Sequence, residues 1–157
     1  MKKHFLALVI AFSALTGAST VQAQSIYEPY SITTLAGLAL NSGSTDDTGS
    51  VARFNQPWGL AVDGANNVYV ADTLNHTIRK ITPGGVVTTL AGAAGSPGFN
   101  DGAASTALFS RPTGVAVNSA GTVVYVADYN NQLIRQISGG VVTTLAGSVG
   151  VSGTNDG

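Results

Sequence analysis

The apolar positions of the first half of the chain fall into short runs separated by turn residues. The segments between them are rich in Gly, Asn, Pro and Ser, and the runs are Trp58–Val62, Val68–Ala71, Thr77–Ile81 and Val86–Ala91. Runs this short indicate β-strands rather than helices. The first run has no polar alternation, so we expect both of its faces to be buried. In the third run Ile78 and Ile81 are three residues apart, which predicts a β-bulge.

The same four runs return later in the chain, at Thr113–Val117, Thr122–Ala127, Leu133–Ile137 and Val141–Ala146. The string TLAG begins at Thr34, Thr89 and Thr144, so the period is 55 residues. A repeat of this kind is typical of a solenoid or propeller, whose units bury their apolar faces only against neighbouring units. We therefore predict an all-β fold of two four-stranded antiparallel units, spanning about 57–91 and 112–146. An additional outer strand is predicted at Ser31–Ala36.

A connection of about twenty residues, Gly92–Arg111, joins the two predicted units. Its stretch Ala103–Phe109 could form one helical turn with Asp101 as the N-cap. Two apolar pairs recur one period apart, Ala52 with Phe54 and Ala107 with Phe109. We expect these pairs to fill the gap between neighbouring sheets.

The first 23 residues have the features of a secretory signal peptide. Lys2 and Lys3 precede the apolar stretch Phe5–Leu15, and Val21-Gln22-Ala23 offers small residues at a cleavage site. The alternative is a membrane anchor, but the apolar stretch is shorter than the roughly 18 to 20 residues that cross a bilayer. We predict a mature chain that begins at Gln24 and is exported, either periplasmic or extracellular. The chain has no cysteine and therefore no disulfide or lipid-anchoring thiol.

The charge and the motifs exclude several function classes. The formal net charge is −1, with seven basic and eight acidic side chains, which disfavours nucleic acid as a partner. The glycines of Gly92–Gly98 do not open a long helix, as a phosphate-binding loop requires, and there is no Gly-x-Ser-x-Gly motif. We predict no cofactor.

Two segments closely resemble the NHL repeat. The first comprises Pro57–Asp63 and Val68–Ile81, with Asn75-His76 followed by Ile78 as the core of the motif. The second copy carries Asn131-Gln132-Leu133-Ile134 and so lacks the histidine. The resemblance implies blades of a β-propeller, commonly six-bladed. Members of the family include extracellular sensor domains, protein-interaction and RNA-binding modules and an amidating lyase, so the fold alone does not specify the function.

The first candidate site residues are an aspartate and an arginine seven residues apart. They are Asp72 with Arg79 and Asp128 with Arg135. Each aspartate could cap its own turn, and each arginine could pair with it or with its copy in the next blade. A catalytic Asp/Arg pair is the alternative. Because both pairs recur while an active site needs its groups once, we predict a structural role.

The remaining candidates are one histidine and three acidic loops. His76 is the only histidine after the signal peptide, whereas a zinc site needs three or four donors. The loops are Asp46-Asp47, Asn100-Asp101-Gly102 and Asn155-Asp156-Gly157. They lack the alternating ligands of a calcium loop, so turns are expected. We assign no catalytic, cofactor-binding or metal-binding residue.

These observations favour an exported, non-catalytic module that binds a protein or a small molecule. The alternative is a fragment of a propeller enzyme, lyase-like or lactonase-like, whose catalytic residues lie in further blades. Two blades cannot close a ring, so we expect Leu60, Val62, Val115 and Val117 to face water. Open edges of this kind predict self-association. We predict no membrane span.

Overall fold

The computed structural model describes residues 31–153, and those from Thr33 onward form one compact unit. The predicted signal peptide and the loop Asn155-Asp156-Gly157 lie outside the described residues. In the described part the regular structure is nine β-strands and three 3-10 turns. The 3-10 turns are Gly49–Val51, Thr73–Asn75 and Tyr129–Asn131. None of the described helices is long and apolar enough to cross a membrane.

Two antiparallel sheets confirm the predicted all-β fold. The first sheet contains, in spatial order, β1 (Pro57–Val62), β2 (Val68–Asp72), β3 (Thr77–Ile81) and β4 (Val87–Ala91). The second contains β5 (Gly102–Ala103), β6 (Pro112–Val117), β7 (Val123–Asp128), β8 (Leu133–Ser138) and β9 (Val141–Ala146). Its spatial order is β5-β9-β8-β7-β6, so each sheet runs from an inner first strand to an outer fourth strand.

The bulge predicted for the third strand lies instead in the fourth strand of both sheets, where Leu90 and Leu145 have no partner. The register of β3 against β4 shifts between Ile78 and Arg79, and that of β8 against β9 shifts between Ile134 and Arg135. Both isoleucines of β3 are buried because regular alternation places them on opposite faces of the sheet, Ile78 toward the second sheet and Ile81 away from it. A further shift separates Pro57 from Leu60 in β1.

Two predictions about the connections were wrong. The connection makes one turn, closed by the hydrogen bond from Ala107 N to Ala103 O at 2.8 Å, but Asp101 does not cap it, and Gly102–Ala103 form β5, which pairs with the outer strand β9. Asp101 is engaged by an arginine, as described below, and cannot cap a helix. Residues 31–36 form no strand. An extended segment becomes a strand only when a neighbour satisfies its backbone, and no strand is paired with this one.

The two sheets pack face to face over a shared core. Tyr69, Ala71 and Ile78 of the first sheet meet Val124 and Val126 of the second. Ala107 and Phe109 join this core with no exposed surface, so they fill the gap between the sheets as expected. A smaller core on the other face of the first sheet contains Ala52, Val70, Ile81 and Val87, against which Phe54 packs.

The inner strands are less buried than the sequence predicts. Leu60 and Val62 of β1 are 65% and 52% exposed, whereas Val115 and Val117 of β6 are half-buried against the first sheet. The expectation that all four face water therefore holds only for β1. The prediction that both faces of these strands are buried was also wrong, because the described residues provide no sheet in front of β1.

Each sheet therefore exposes part of the face that points away from the other sheet, which we call its open face. The open face of the first sheet carries Leu60 and Val62. On the second sheet Tyr125 and Ile134 are both 43% exposed, while their counterparts in the first, Tyr69 and Ile78, are buried between the sheets. The same sequence positions are thus buried or exposed according to whether a neighbouring sheet is present.

Candidate functional site

The first Asp/Arg pair forms a buried network at the end of β2. Asp72 and Arg79 are completely buried, and Arg79 Nη1 donates to Asp72 Oδ2 at 2.7 Å. Asp72 also accepts hydrogen bonds from Asn55 N at 2.7 Å and Asn75 Nδ2 at 2.8 Å. The other edge of the guanidinium donates to Asp46, with Nε at 3.2 Å from Oδ1. All the donors around this carboxylate come from the protein itself.

The second copy repeats this network almost atom for atom. Arg135 Nη1 donates to Asp128 Oδ2 at 2.9 Å, and Arg135 Nε donates to Asp101 Oδ1 at 3.1 Å. Asp128 accepts from Ser110 N at 2.7 Å and Asn131 Nδ2 at 2.8 Å. Each arginine also lies over a phenylalanine, 5.0 Å from the Phe54 centroid in the first network and 5.1 Å from Phe109 in the second.

The networks show which arginine each aspartate pairs with, whether it caps its own turn, and what the pair does in the fold. Each aspartate pairs with the arginine of its own sheet. Neither side chain caps its own 3-10 turn; both instead accept a backbone N–H from the preceding connection. Each network therefore ties the long connection to the strands, which is a structural task. A substrate would have to displace protein donors to reach these carboxylates.

The acidic loops also serve the fold. Asp46 and Asp101 hold the two buried arginines and accept the N–H groups of Thr89 and Thr144 on the outer strands. Burial raises the pKa of Asp101, but Thr144 N–H and the Arg135 guanidinium outweigh it and hold that pKa below its usual value. Residues 31–153 include no group of three or more His, Cys, Asp or Glu side chains that could hold a metal ion.

His76 is a link between the two sheets. It ends the 3-10 turn after β2 in a left-handed conformation, with φ of 60°. Its Nδ1 accepts the backbone N–H of Arg111 at 3.1 Å. Burial, followed by the charge of Arg111, lowers the pKa of His76, so the neutral ring with a free Nδ1 lone pair is favoured. Gln132 takes the corresponding position in the second sheet.

Asp63 and Tyr69 form a second link that the sequence analysis missed. The Tyr69 hydroxyl lies 3.1 Å from Asp63 Oδ2 and 3.3 Å from the carbonyl oxygen of Gly121 in the other sheet. Burial and the Asp63 carboxylate raise the pKa of Tyr69 to about 12. The hydrogen bond from the Asn67 side chain is the main cause that lowers the pKa of Asp63. In the sequence, the one indication of a special role for Asp63 is that the second copy has Asn118 at the equivalent position.

The starts of the two inner strands form a partly exposed edge, which we call the inner rim and define as residues 56–58 and 111–113; Pro112 within it is buried. Pro57 pairs with Asp72 and Pro112 with Asp128, so β1 and β6 begin at the same level. The strands approach closely, because a Cβ on Gly59 would lie 2.3 Å from the carbonyl oxygen of Thr113. Trp58 is 73% exposed there, and Arg111 and Gln56 are also exposed.

Arg111 differs from the other cations of the described residues. Arg79 and Arg135 are held in the buried networks, and Arg53 donates to the carbonyls of Ser50, Val51 and Ala52. Lys80 lies 5.6 Å from the centroid of the Tyr69 ring. Within residues 31–153 the Arg111 guanidinium makes no hydrogen bond or salt bridge. It is therefore the cation available to a ligand on the inner rim.

Comparison with known proteins identifies the repeat. The family model described as NHL repeat matches residues 54–81 and 109–137, which contain both Asp/Arg pairs and two of the three 3-10 turns, Thr73–Asn75 and Tyr129–Asn131. This chain is an NHL-repeat protein. The sequence resemblance drawn from Asn75-His76 is thereby confirmed.

Curated relatives of this NHL-repeat chain are much longer proteins. It is 38% identical over 96 residues to the protein SUPPRESSOR OF QUENCHING 1, chloroplastic, of Arabidopsis thaliana, covering 60% of this chain and 9% of that protein. It is 34% identical over 95 residues to human NHL repeat-containing protein 2, covering 59% of this chain and 13% of that protein. The chain thus spans about a tenth of the length of these relatives.

Solved structures show the same arrangement of strands. An auxiliary nutrient binding protein from Bacteroides ovatus superposes with a TM-score of 0.58 at 27% identity, over 71% of this chain and 28% of that one. A putative phosphatase from Bacteroides thetaiotaomicron gives 0.60 at 31% identity, over 67% and 26%. The NHL-repeat chain spans about a quarter of each.

The inner rim is the feature that sequence reasoning did not find. In the aligned copies Trp58 corresponds to Thr113, and Gln56 corresponds to Arg111. Recurrence indicates a structural role for Asp72 and Arg79. Its converse, a difference between the two copies at the start of the inner strand, is the sequence signal that could have indicated the rim.

Proposed function

We propose that this NHL-repeat chain is an exported, non-catalytic binding module whose inner rim contacts the ligand. The strongest support is that recurring and non-recurring polar residues lie in different parts of the fold. The Asp/Arg networks that recur in both repeats are used by the fold, whereas Gln56, Trp58 and Arg111, which differ from their counterparts in the other repeat, are exposed on the rim. A binding surface needs variable, accessible groups on a rigid scaffold.

The chemistry of the site favours binding over catalysis. Every aspartate in residues 31–153 accepts a hydrogen bond from the protein, and the networks hold Asp72 and Asp128 away from solvent. General acid or base catalysis requires a side chain that can reach the reacting atom. The described carboxylates are held instead in structural contacts.

The comparisons support the same class of function. A structural neighbour is described as an auxiliary nutrient binding protein, which is consistent with a propeller that captures a soluble compound. Export rests on the signal peptide features of residues 1–23. It can be checked by N-terminal sequencing of secreted material, for which we expect Gln24 as the first residue.

The single tryptophan makes the binding function measurable. Trp58 is the only tryptophan of the chain and lies on the inner rim, so its fluorescence reports on the proposed site alone. We expect one or more members of a panel of soluble saccharides and amino acids to shift this emission saturably. The bound compound should be recovered chemically unchanged by chromatography. Conversion of a panel member by the folded chain would contradict the non-catalytic assignment.

A further inference from the structure

The inner rim combines two groups whose chemistry restricts the ligand. Trp58 offers an exposed aromatic ring at the start of β1, and Arg111 offers a free guanidinium before the start of β6. Gly59, which follows Trp58, touches the backbone of Thr113, which lies two residues after Arg111. Because consecutive Cα atoms are about 3.8 Å apart, the two Cα atoms lie on the order of 10 Å apart. A ligand that contacts both side chains must span this separation.

The position of Arg111 is fixed by the fold, while its side chain is specific to this copy. Arg111 has φ of 51°, and Gln56 has the same φ in the first repeat. The backbone N–H of Arg111 is held by His76 Nδ1 at 3.1 Å. Its backbone is thus anchored on the neighbouring sheet, and its guanidinium remains free. An anchored backbone reduces the conformational freedom that binding must remove.

The free guanidinium favours a carboxylate as its partner. A planar guanidinium can donate two parallel hydrogen bonds to a carboxylate, and such charge-assisted pairs are the stronger ones. A polyanion such as a nucleic acid needs several free cations, whereas this rim provides one and the chain has a net charge of −1. A ligand with one negative charge at this position fits the rim better.

Trp58 adds the requirement for a ring. The face of an indole is electronegative, so it attracts the partially positive C–H groups on the face of a sugar ring. The amide of Gln56, next to Pro57 on the same rim, can donate and accept hydrogen bonds with sugar hydroxyls. An acidic saccharide carries a ring face, hydroxyls and one carboxylate per residue.

We propose that the inner rim binds an acidic saccharide of the uronate type, with its ring on Trp58 and its carboxylate on Arg111. This inference rests on the proposed binding function and adds the chemical class of the ligand. The carboxylate fixes the orientation of the ligand, because Arg111 is free to bind it and the other cations of the described residues are held by the protein. The aromatic ring provides contact area with little loss of side-chain freedom.

The two repeats supply substitutions that the fold already accepts. Arg111→Gln places in the second repeat the residue found at Gln56, where the backbone conformation is the same. Trp58→Thr places in the first repeat the residue found at Thr113. Lys80→Gln is the control for charge, because it removes one positive charge from the middle of β3.

The test is a titration with tri-galacturonic acid and with its methyl ester, which lacks the free carboxylates. Trp58 fluorescence is read for the Arg111 and Lys80 variants, and calorimetry is used for Trp58→Thr. We expect the acid to bind at least about tenfold more tightly than the ester, as a charge-assisted hydrogen bond implies. Arg111→Gln should abolish that preference, and Trp58→Thr should weaken both ligands. Lys80→Gln should leave the preference unchanged.

Other outcomes separate this inference from the proposed function. Equal binding of acid and ester, or binding of the acid that Arg111→Gln does not weaken, would overturn the assignment of the carboxylate. A neutral sugar or a mononucleotide that shifts Trp58 emission while the acid does not would also overturn it, and the binding function would stand. Absence of binding by the acid at millimolar concentration, with the fold intact by circular dichroism, rejects the acidic saccharide.

Discussion

Removal of the Asp72 carboxylate should destabilise the chain far more than the loss of an ordinary turn residue. The sequence alone suggests a cost of about 1 to 3 kcal/mol, the penalty for leaving turn donors unsatisfied. In the structure the carboxylate is fully buried and accepts from Arg79, Asn55 and Asn75. Breaking a buried ion pair by removing one partner costs about 3 to 5 kcal/mol.

We expect the stability loss caused by Asp72→Ala to lie within that range, because Arg79 keeps other partners. Its guanidinium keeps Asp46 and the carbonyls of Thr45 and Arg53. The charge is therefore only partly uncompensated, and we expect a loss of about 3 kcal/mol. Asp46→Ala should cost about 1 kcal/mol, because the Asp46 side chain is 43% exposed and water can replace part of its interactions.

Urea unfolding monitored by far-ultraviolet circular dichroism measures these losses. Asp128→Ala is the matched variant and should behave like Asp72→Ala, because its network has the same donors. The double variant Asp72→Ala, Arg79→Met should lose less than the sum of the single losses, because removal of both charges leaves no buried charge unpaired. A loss below about 1 kcal/mol for Asp72→Ala, given the cost expected of an unpaired buried charge, would refute this reasoning. Abolished ligand binding at unchanged stability would favour the catalytic interpretation of the pair.

Three further predictions follow from the packing and the charges. Gly59→Ala should cost about 1 to 3 kcal/mol, because its methyl group would meet the carbonyl of the neighbouring inner strand. Gly114→Ala should cost less, because a Cβ there would lie 3.3 Å from the nearest atom, a side-chain carbon. Equal urea midpoints for the two variants would contradict the close approach of the strands at Gly59. As the pH falls below the usual histidine value of 6.5, stability should decline, because folding lowers the pKa of His76 and the unfolded chain binds the proton first. A second decline should begin below 3.8, because Asp63 and Asp101 have lowered pKa values; their contribution is complete above that pH and is lost below it, and the raised pKa of the buried Asp128 acts in the opposite direction and offsets part of this decline. His76→Gln should remove only the first decline in the urea midpoint, and persistence of that decline would assign it to another group. Light scattering after gel filtration should show self-association through the two open faces, whereas a cooperative monomer would contradict this prediction.

The sequence by itself determined the repeat and the strands within it. The recurrence of short apolar runs located all eight main strands, whereas the spacing of Ile78 and Ile81 assigned the bulge to the wrong strand. These features are local, because alternation, turn residues and period are properties of consecutive residues. The structural role of the Asp/Arg pairs could also be inferred, since their recurrence distinguishes a scaffold from a single active site.

The tertiary structure alone decided which faces are buried and which residues are available to a ligand. Val115 and Leu60 occupy equivalent positions in strands of similar composition, yet only Val115 packs against another sheet. Arg135 recurs in both repeats and Arg111 does not, yet recurrence does not show what either side chain contacts. Apart from Asp128, seven residues away, the partners of Arg135 lie 27 to 35 residues away, and the Arg111 side chain has none in the described residues. Burial and pairing depend on contacts between distant segments, and these exist only after the sheets have packed together.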